Sequence, residues 1–266
     1  MMGSRLLNKT ALVTGATSNI GRAIATSFAA EGAHVVVSGR SVERGAEVVN
    51  EIRAAGGRAD FVAVDLNGSP KASWDLAAEA TRLLGGRIDV LVNNAGVYPR
   101  TQTTDTDEAT FDHVYAVNVK APFFLTAAVA PAMAQRGHGA IINLGSWIAR
   151  LGVPISALYS STKGAVETLT RAWAAEFGPA GVRVNAISPG VIRSRDTVDQ
   201  STVEHPGEVM MRGTPAGQSG TPEAIAQAAV YLASDEAAFV HGTVIDVDGG
   251  RVGVAVIAER EPAGKP

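Results

Sequence analysis

Short runs of consecutive apolar residues alternate along this chain with longer stretches of helical periodicity. Residues 11–14, 34–38, 61–64, 88–92, 139–144, 182–187 and 243–247 read as strands. Between the first two, Ile20, Ala23, Ile24 and Phe28 recur at helical spacing, and Gly32 is a natural stop. Further helices are predicted from about 42 to 55, from Pro70 to the Gly85-Gly86 pair, and near 122–136 and 157–178. The strands are apolar throughout, not alternating, as strands buried on both faces are. The expected fold is therefore α/β, a doubly wound parallel sheet with helices on both faces, forming a single domain over 1–266. One polar segment, about 191–221, breaks the rhythm and is expected to be a functional loop.

Composition narrows the classes. The 266 residues are 46% hydrophobic and 18% charged, ordinary for a globular domain with a sizeable core. A net charge of −3 gives no basic excess for nucleic acid or an anionic membrane surface. There is no cysteine, hence no disulfide, thiolate zinc site or cysteine nucleophile, which fits a reducing cytosol. The opening MMGSRLLNKT lacks the apolar stretch of a signal peptide. The longest apolar run, 121–134, holds a Thr and two prolines and reads as a buried helix, so a cytoplasmic protein outside the membrane is expected. The five histidines lack metal-ligand spacing. Asp105, Asp107, Glu108 and Asp112 read as a solvated helix start, so no metal is expected.

Candidate chemistry sits at the ends of strands. The first is followed by Thr14-Gly15-Ala16-Thr17-Ser18-Asn19-Ile20-Gly21, whose small residues would let backbone approach a pyrophosphate at a helix N-terminus. The same run is also compatible with an ordinary strand-to-helix turn. Asp65, at the end of the third strand, is suited to accept a hydrogen bond from an adenine amine, or to cap a turn. Asn93-Asn94-Ala95-Gly96 ends the fourth strand with small residues and amides. Tyr159 and Lys163 lie four apart on one helix face. A neighbouring ammonium lowers a phenol from its usual value of about 10, giving an acid/base pair near neutrality, although a solvated helix face has the same spacing. Ser146 follows strand 139–144 and can offer a hydroxyl to a carbonyl oxygen. Asn118, among Val114, Val117 and Val119, needs a partner if buried.

Together these motifs resemble the short-chain dehydrogenase/reductase family in its compact single-domain branch, and are similar to its 3-oxoacyl-carrier-protein reductase-like members. The likeness runs from Leu7 to Gly250 and takes in Asn185, Pro189-Gly190 and the closing Asp246-Val-Asp248-Gly249-Gly250. It implies a Rossmann-like fold and an NAD(P)-dependent oxidoreductase that moves a hydride between nicotinamide and a ketone or secondary alcohol. It makes Tyr159 the general acid/base, with Lys163 lowering its pKa and holding the nicotinamide ribose. Ser146 binds the substrate oxygen and Asn118 anchors a water leading to Lys163. The implied cofactor site is Gly15, Thr17, Ser18, Asn19, Ile20, Gly21, Arg40, Ser41, Asp65, Leu66, Asn93, Ala95, Gly96, Tyr159, Lys163, Pro189, Gly190, Ile192 and Ser194. Ser146, Trp147, Ile148 and Tyr159 would touch the substrate, with Arg150, Leu151, Tyr98 and the 191–221 loop completing its pocket.

The chain departs from the family in a few places. Asn19 stands where Gly is usual, though Asn tolerates left-handed backbone. Ser194 stands where Thr is usual. Gly39 replaces the acid of NAD-preferring relatives and Arg40 follows it, which favours NADP(H) while leaving NAD(H) open. The family also implies a homotetramer built through helices near 107–136 and 157–178, with Trp173 and Phe177 near an interface. Alternatives are a cofactor-binding regulator without turnover, a lyase or epimerase on the same fold, or a carrier-protein reductase proper. Against the last, a basic residue is missing near Ala180.

Overall fold

In a computed structural model, residues 4–154, 156–193 and 206–255 are described. Strands β1 (Thr10–Val13), β2 (His34–Gly39), β3 (Arg58–Ala63), β4 (Val90–Asn93), β5 (Gly139–Leu144), β6 (Val182–Pro189) and β7 (Val244–Val247) form one seven-stranded sheet in the order β3-β2-β1-β4-β5-β6-β7. Every pairing is parallel. The intervening helices are α1 (Asn19–Ala30), α2 (Val42–Ala54), α3 (Pro70–Leu83), α4 (Glu108–Tyr115), α5 (Ala121–Arg136), α6 (Ala157–Phe177), α7 (Pro206–Met211) and α8 (Pro222–Ala233).

Why the strands are apolar throughout is visible in their alternation. Ala11, Val13, Val35, Val37, Val90 and Val92 point into one core with Ile24 and Phe28 of α1, Val48 and Ile52 of α2, and Ile225 and Ala229 of α8. Leu12, Val36, Leu91 and Ile141 point into a second core with Leu76 of α3, Leu125 and Met133 of α5, and Trp173 of α6. Each large side chain fully buried in this way contributes roughly 1.5–3 kcal/mol. Helices on both faces thus make the Rossmann-like doubly wound domain expected from the sequence.

Three elements differ from the sequence pattern. Within the segment expected to be a loop, Pro206–Met211 form the short helix α7, while 194–205 lie outside the described residues. β3 starts at Arg58, three residues earlier than periodicity predicts. Its polar start is tolerated because β3 is an edge strand, where Asp60 accepts from Arg53 at 2.9 Å and pairs with His34 at 2.7 Å. Asp65 consequently lies beyond the strand, not at its end. The predicted helix near 122–136 is continuous with α4 through a π-helical turn, Ala116–Lys120. Among the described residues, Glu108–Arg136 is the one helical stretch long and apolar enough to cross a bilayer. Its Val114, Leu125, Val129 and Met133 are buried inside the protein.

Candidate active site

A cavity of about 600 Å³ opens beyond the carboxyl ends of the central strands, where strand order reverses between β1 and β4. Its floor is the turn after β1. The Thr14 hydroxyl accepts from the backbone of Asn94 and Ala95, each at 3.0 Å, and lies 3.1 Å from the Val92 carbonyl. The Asn94 amide donates back to the carbonyls of Thr14 at 2.7 Å and Gly15 at 3.1 Å. This lacing leaves no room for side chains. A Cβ on Gly21 would stand 2.3 Å from the Gly15 carbonyl oxygen, and one on Gly15 would stand 2.9 Å from Ala95 Cα. Asn19 opens α1 with φ +46°, the left-handed backbone its side chain tolerates. Ser18, the residue before it, makes no side-chain cap bond. The first turn of α1 therefore offers backbone N–H donors and a positive dipole end to an anion in the cavity.

The cavity gathers most of the cofactor residues expected from the sequence. Gly15, Thr17, Ser18, Asn19, Ile20, Gly21, Arg40, Asp65, Leu66, Ala95, Gly96, Tyr159, Lys163, Pro189, Gly190 and Ile192 all line it. Two expectations are corrected. Asn93 is not a wall residue. Its amide donates to Asn143 at 2.9 Å and Thr126 at 3.2 Å within the core, because a strand-terminal side chain on that face points between β5 and α5. Ser41 is not a wall residue either, since its hydroxyl caps α2 by accepting from Arg44 N at 3.3 Å. Ser194 lies outside the described residues. The cavity also takes in Arg44, Arg100 and His113, which the sequence reading passed over. Arg44 carries a signal that could have found it: it lies in the first turn of α2, four residues after Arg40.

At the other end, Ser146, Trp147, Ile148, Tyr159 and Lys163 share the wall. Tyr159 is the third residue of α6, and Lys163 follows one turn later. The Lys163 Nζ donates to the Leu144 carbonyl at 2.7 Å and lies 5.6 Å from the centre of the Tyr159 ring. Tyr98 meets that ring edge-on at 4.5 Å, and the Ser156 hydroxyl reaches the Tyr98 hydroxyl at 3.3 Å. Ser156, just before α6, is buried with φ +111°, a strained conformation for a residue with a side chain.

The electrostatics reverse one expectation. Burial pushes the Tyr159 phenol up to about 12, although a hydrogen bond with Ser146 pulls the other way and Tyr98 adds to the rise. Burial also pushes the Lys163 amine down to about 8. Desolvation of the phenolate thus outweighs the pull of the Ser146 hydrogen bond.

Asn118 sits in the π-helical turn, a distortion frequent at functional sites. Its amide donates to the Val97 carbonyl at 2.9 Å and to Thr162 at 3.2 Å, and its oxygen accepts from Val97 N at 2.8 Å. The side chain clamps the strand-end segment beside Tyr98 and does not itself line the cavity. Arg150 and Leu151 are likewise not in the wall. Arg150 is drawn away by Asp246, by the Ser188 hydroxyl at 2.9 Å, and by Glu167 at 3.4 Å.

Known proteins match this arrangement along nearly the whole chain. A family model described as enoyl-(acyl carrier protein) reductase matches residues 15–251. The chain is similar to cyclopentanol dehydrogenase from Comamonas sp., 35% identical over 246 residues that cover 92% of this chain and 98% of that one. It is also similar to 3-oxoacyl-[acyl-carrier-protein] reductase from Thermotoga maritima, 37% identical, covering 93% and 99%. A solved structure from Beutenbergia cavernae, described as an NAD(P)-dependent gluconate 5-dehydrogenase with NADP bound at low occupancy, superposes with a TM-score of 0.86. It is 38% identical, covering 94% of this chain and 98% of that one. The parallel sheet, the laced glycine turn and the Ser146, Tyr159 and Lys163 set, together with these matches, show that the chain belongs to the short-chain dehydrogenase/reductase family.

Proposed function

We propose that this protein is an NAD(P)-dependent oxidoreductase that interconverts a ketone and a secondary alcohol. One observation carries the reading: the Tyr159 phenol shares a single cavity with Ser146, with Lys163 and with the glycine turn at the N-terminus of α1. The residues present fit a dinucleotide. Gly15 and Gly21 leave bare backbone where a Cβ would collide, α1 offers its first turn to a pyrophosphate, and Asp65 and Leu66 stand at the adenosine end. When bound, the nicotinamide supplies the donor or acceptor of the hydride.

The rest of the chemistry belongs to the chain. The Ser146 hydroxyl orients the substrate oxygen. Tyr159 gives its proton to that oxygen in reduction and takes it back in oxidation. A phenol held up at about 12 keeps its proton through neutral pH, which suits the donor role. The ammonium of Lys163, near the ring, favours the phenolate left after transfer. Asn118 ties the Val97 backbone to Thr162, the residue before Lys163.

Arg40 and Arg44 both line the cavity beside Gly39, where no carboxylate would repel a 2′-phosphate, so NADP(H) is the preferred cofactor. Tyr98, Trp147, Ile148, Val191 and Met210 make the substrate end largely apolar and suit a medium-sized ketone. A cytoplasmic homotetramer completes the reading; Trp173, expected near an interface with Phe177, is itself buried in the core, so the half-exposed Phe123 of α5, whose ring centre lies 6.0 Å from it, is the candidate contact residue on that face. NADPH oxidation against a panel of ketones tests the activity, and no oxidation with any ketone would refute it. Light scattering tests the assembly, and a monomer mass at micromolar concentration would refute that part.

A further inference from the structure

Trp147 follows Ser146 in sequence, lines the cavity and is 7% exposed. Arg251 does not line the cavity, yet its guanidinium lies 4.4 Å from the centre of the Trp147 ring. The same guanidinium donates to the carbonyl of Met210 in α7. Its Nε is buried and has no hydrogen-bond partner among the described residues. One side chain from the C-terminal turn thus ties an aromatic wall residue to the helix that brings Gly207 and Met210 into the cavity.

The surroundings make this link stiff. Asp248 accepts from Gly250 N at 2.8 Å and Val252 N at 2.9 Å, which presets the turn that carries Arg251. Gly249 and Gly250 adopt φ of +70° and +84°, and a Cβ on either would come within 2.8 Å of Ala216 or 2.7 Å of Pro215. On its other side α7 is held through Glu208, which accepts from Arg193 at 3.1 Å and from Ser219 N at 3.0 Å. With α7 anchored there, Arg251 links the Met210 backbone to the Trp147 ring.

We propose that Arg251 is a specificity-determining positioning residue, which braces Trp147 against Met210 and so fixes the width of the substrate end for ketones with a bulky apolar body. The inference rests on the oxidoreductase reading, because it takes this end of the cavity to receive the ketone. A planar cation stacked on indole is the strong form of this contact. A lysine is a point charge that cannot lie flat on the ring and reach the Met210 carbonyl together.

The test compares Arg251→Met and Arg251→Lys with wild type, using a bulky cyclic ketone and a three-carbon ketone. Losing the cation–π contact is expected to raise KM for the bulky ketone about ten-fold in Arg251→Met. KM for the small ketone, kcat and NADPH affinity should stay within about two-fold, and Arg251→Lys should fall between. Acrylamide quenching of Trp147 emission, isolated by subtracting a Trp147→Phe background, should rise in the same order. Equal KM changes for both ketones, loss of kcat and cofactor affinity together, or unchanged quenching would each overturn the brace. If Arg251→Met fails to fold, Arg251→Lys decides on the same criteria. If wild type reduces no ketone, the functional reading fails on that result, while the quenching order still decides whether Arg251 holds Trp147.

Discussion

The glycine-turn end of the cavity and its Tyr159 end are made of different materials. At the first, backbone does the work: Gly15 and Gly21 face bare carbonyls and Cα atoms, and Asn94 and Thr14 lace two strand ends together. At the second, buried side chains do it. Lys163 is held by the Leu144 carbonyl, Asn118 by Val97 and Thr162, and Tyr159 lies against Tyr98. Backbone sites are intolerant of size and carry little charge to desolvate. Side-chain sites tolerate modest size changes but hold ionisable groups out of water, so their signature is in pH and turnover.

The largest expected effect is at the side-chain end. Tyr159→Phe removes the transferable proton and little volume, so turnover should fall at least ~100-fold, the lower end for acid/base catalysis. NADPH affinity, set mainly at the other end, should stay within a few-fold by fluorescence titration. Substantial remaining turnover would mean that another group moves the proton.

Lys163 sharpens the same contrast through stability. Its folded pKa, down at about 8, lies below the ordinary value of 10.5, so burial penalises the ammonium. Between those values the unfolded chain binds more protons than the folded one, and stability therefore rises with pH. Below about pH 8 both states are protonated and the penalty is fully present. Lys163→Met removes this dependence. The unfolding free energy of the variant minus that of wild type, from denaturant titrations, should fall as pH rises from about 8 to 10, with a span of at most about 3 kcal/mol. A flat difference would show that the amine is solvated.

At the backbone end the test is one methyl group. Gly21→Ala puts a Cβ where 2.3 Å separates it from the Gly15 carbonyl, so the turn must shift. Overpacking of this kind costs about 1–3 kcal/mol, and cofactor affinity should fall while the pH profile of any remaining turnover is unchanged. A shifted profile would mean that the two ends are coupled more tightly than their construction implies.

How much of this was legible in the sequence follows the same division. Strand-helix alternation and the glycine turn were readable because backbone constraints leave fixed residue types at fixed spacing, as at Gly15, Gly21 and Asn19. Ser146, Tyr159 and Lys163 were readable as types and spacing. The sign of the Tyr159 shift was not, because it depends on burial in the folded chain, to which Tyr98, distant in sequence, adds an electrostatic rise. Asn93 and Asn94 show the limit sharply. Adjacent and identical, they point to opposite sides, and only the register of β4 between β1 and β5 sends Asn94 to the turn and Asn93 to the core. Arg150 looked like a pocket residue until Asp246, almost a hundred positions later, claimed it.

Cofactor choice is where charged side chains, Arg40 and Arg44, join the glycine-turn end. A charge-assisted contact to an exposed phosphate contributes roughly 1.5–3 kcal/mol before solvent screening, so NADPH should be preferred about ten-fold. Arg40→Ala should weaken NADPH and leave NADH nearly unchanged, and the preference should shrink as salt rises. Arg44→Ala should do the same to a smaller degree, and the double variant should abolish the preference. Gly39→Asp should favour NADH, with Thr17 giving way, since a Cβ there stands 2.7 Å from its methyl group. Equal losses for both cofactors in Arg40→Ala would mean that the arginine stacks on adenine instead.

The smallest expected effect concerns Asn19, the family's usual glycine position. Its φ of +46° is left-handed, which costs most L-residues roughly 1–2 kcal/mol but costs Asn less, because its short amide can bond locally. Asn19→Gly should therefore change stability by only a few tenths of a kcal/mol. The relief of the left-handed residue is offset by the greater freedom of glycine in the unfolded chain. Asn19→Ala has no such compensation and should lose about 1 kcal/mol, a fall of ~2–4 °C in Tm for a chain of this size. Cofactor affinity separates two readings of the position. If Asn19 serves only the backbone, Asn19→Gly keeps NADPH binding within about two-fold while Asn19→Ala weakens it in proportion to the strained turn. If its amide bonds the pyrophosphate, both variants lose affinity equally, and the glycine-turn end then contains a side-chain contact that the backbone alone does not supply.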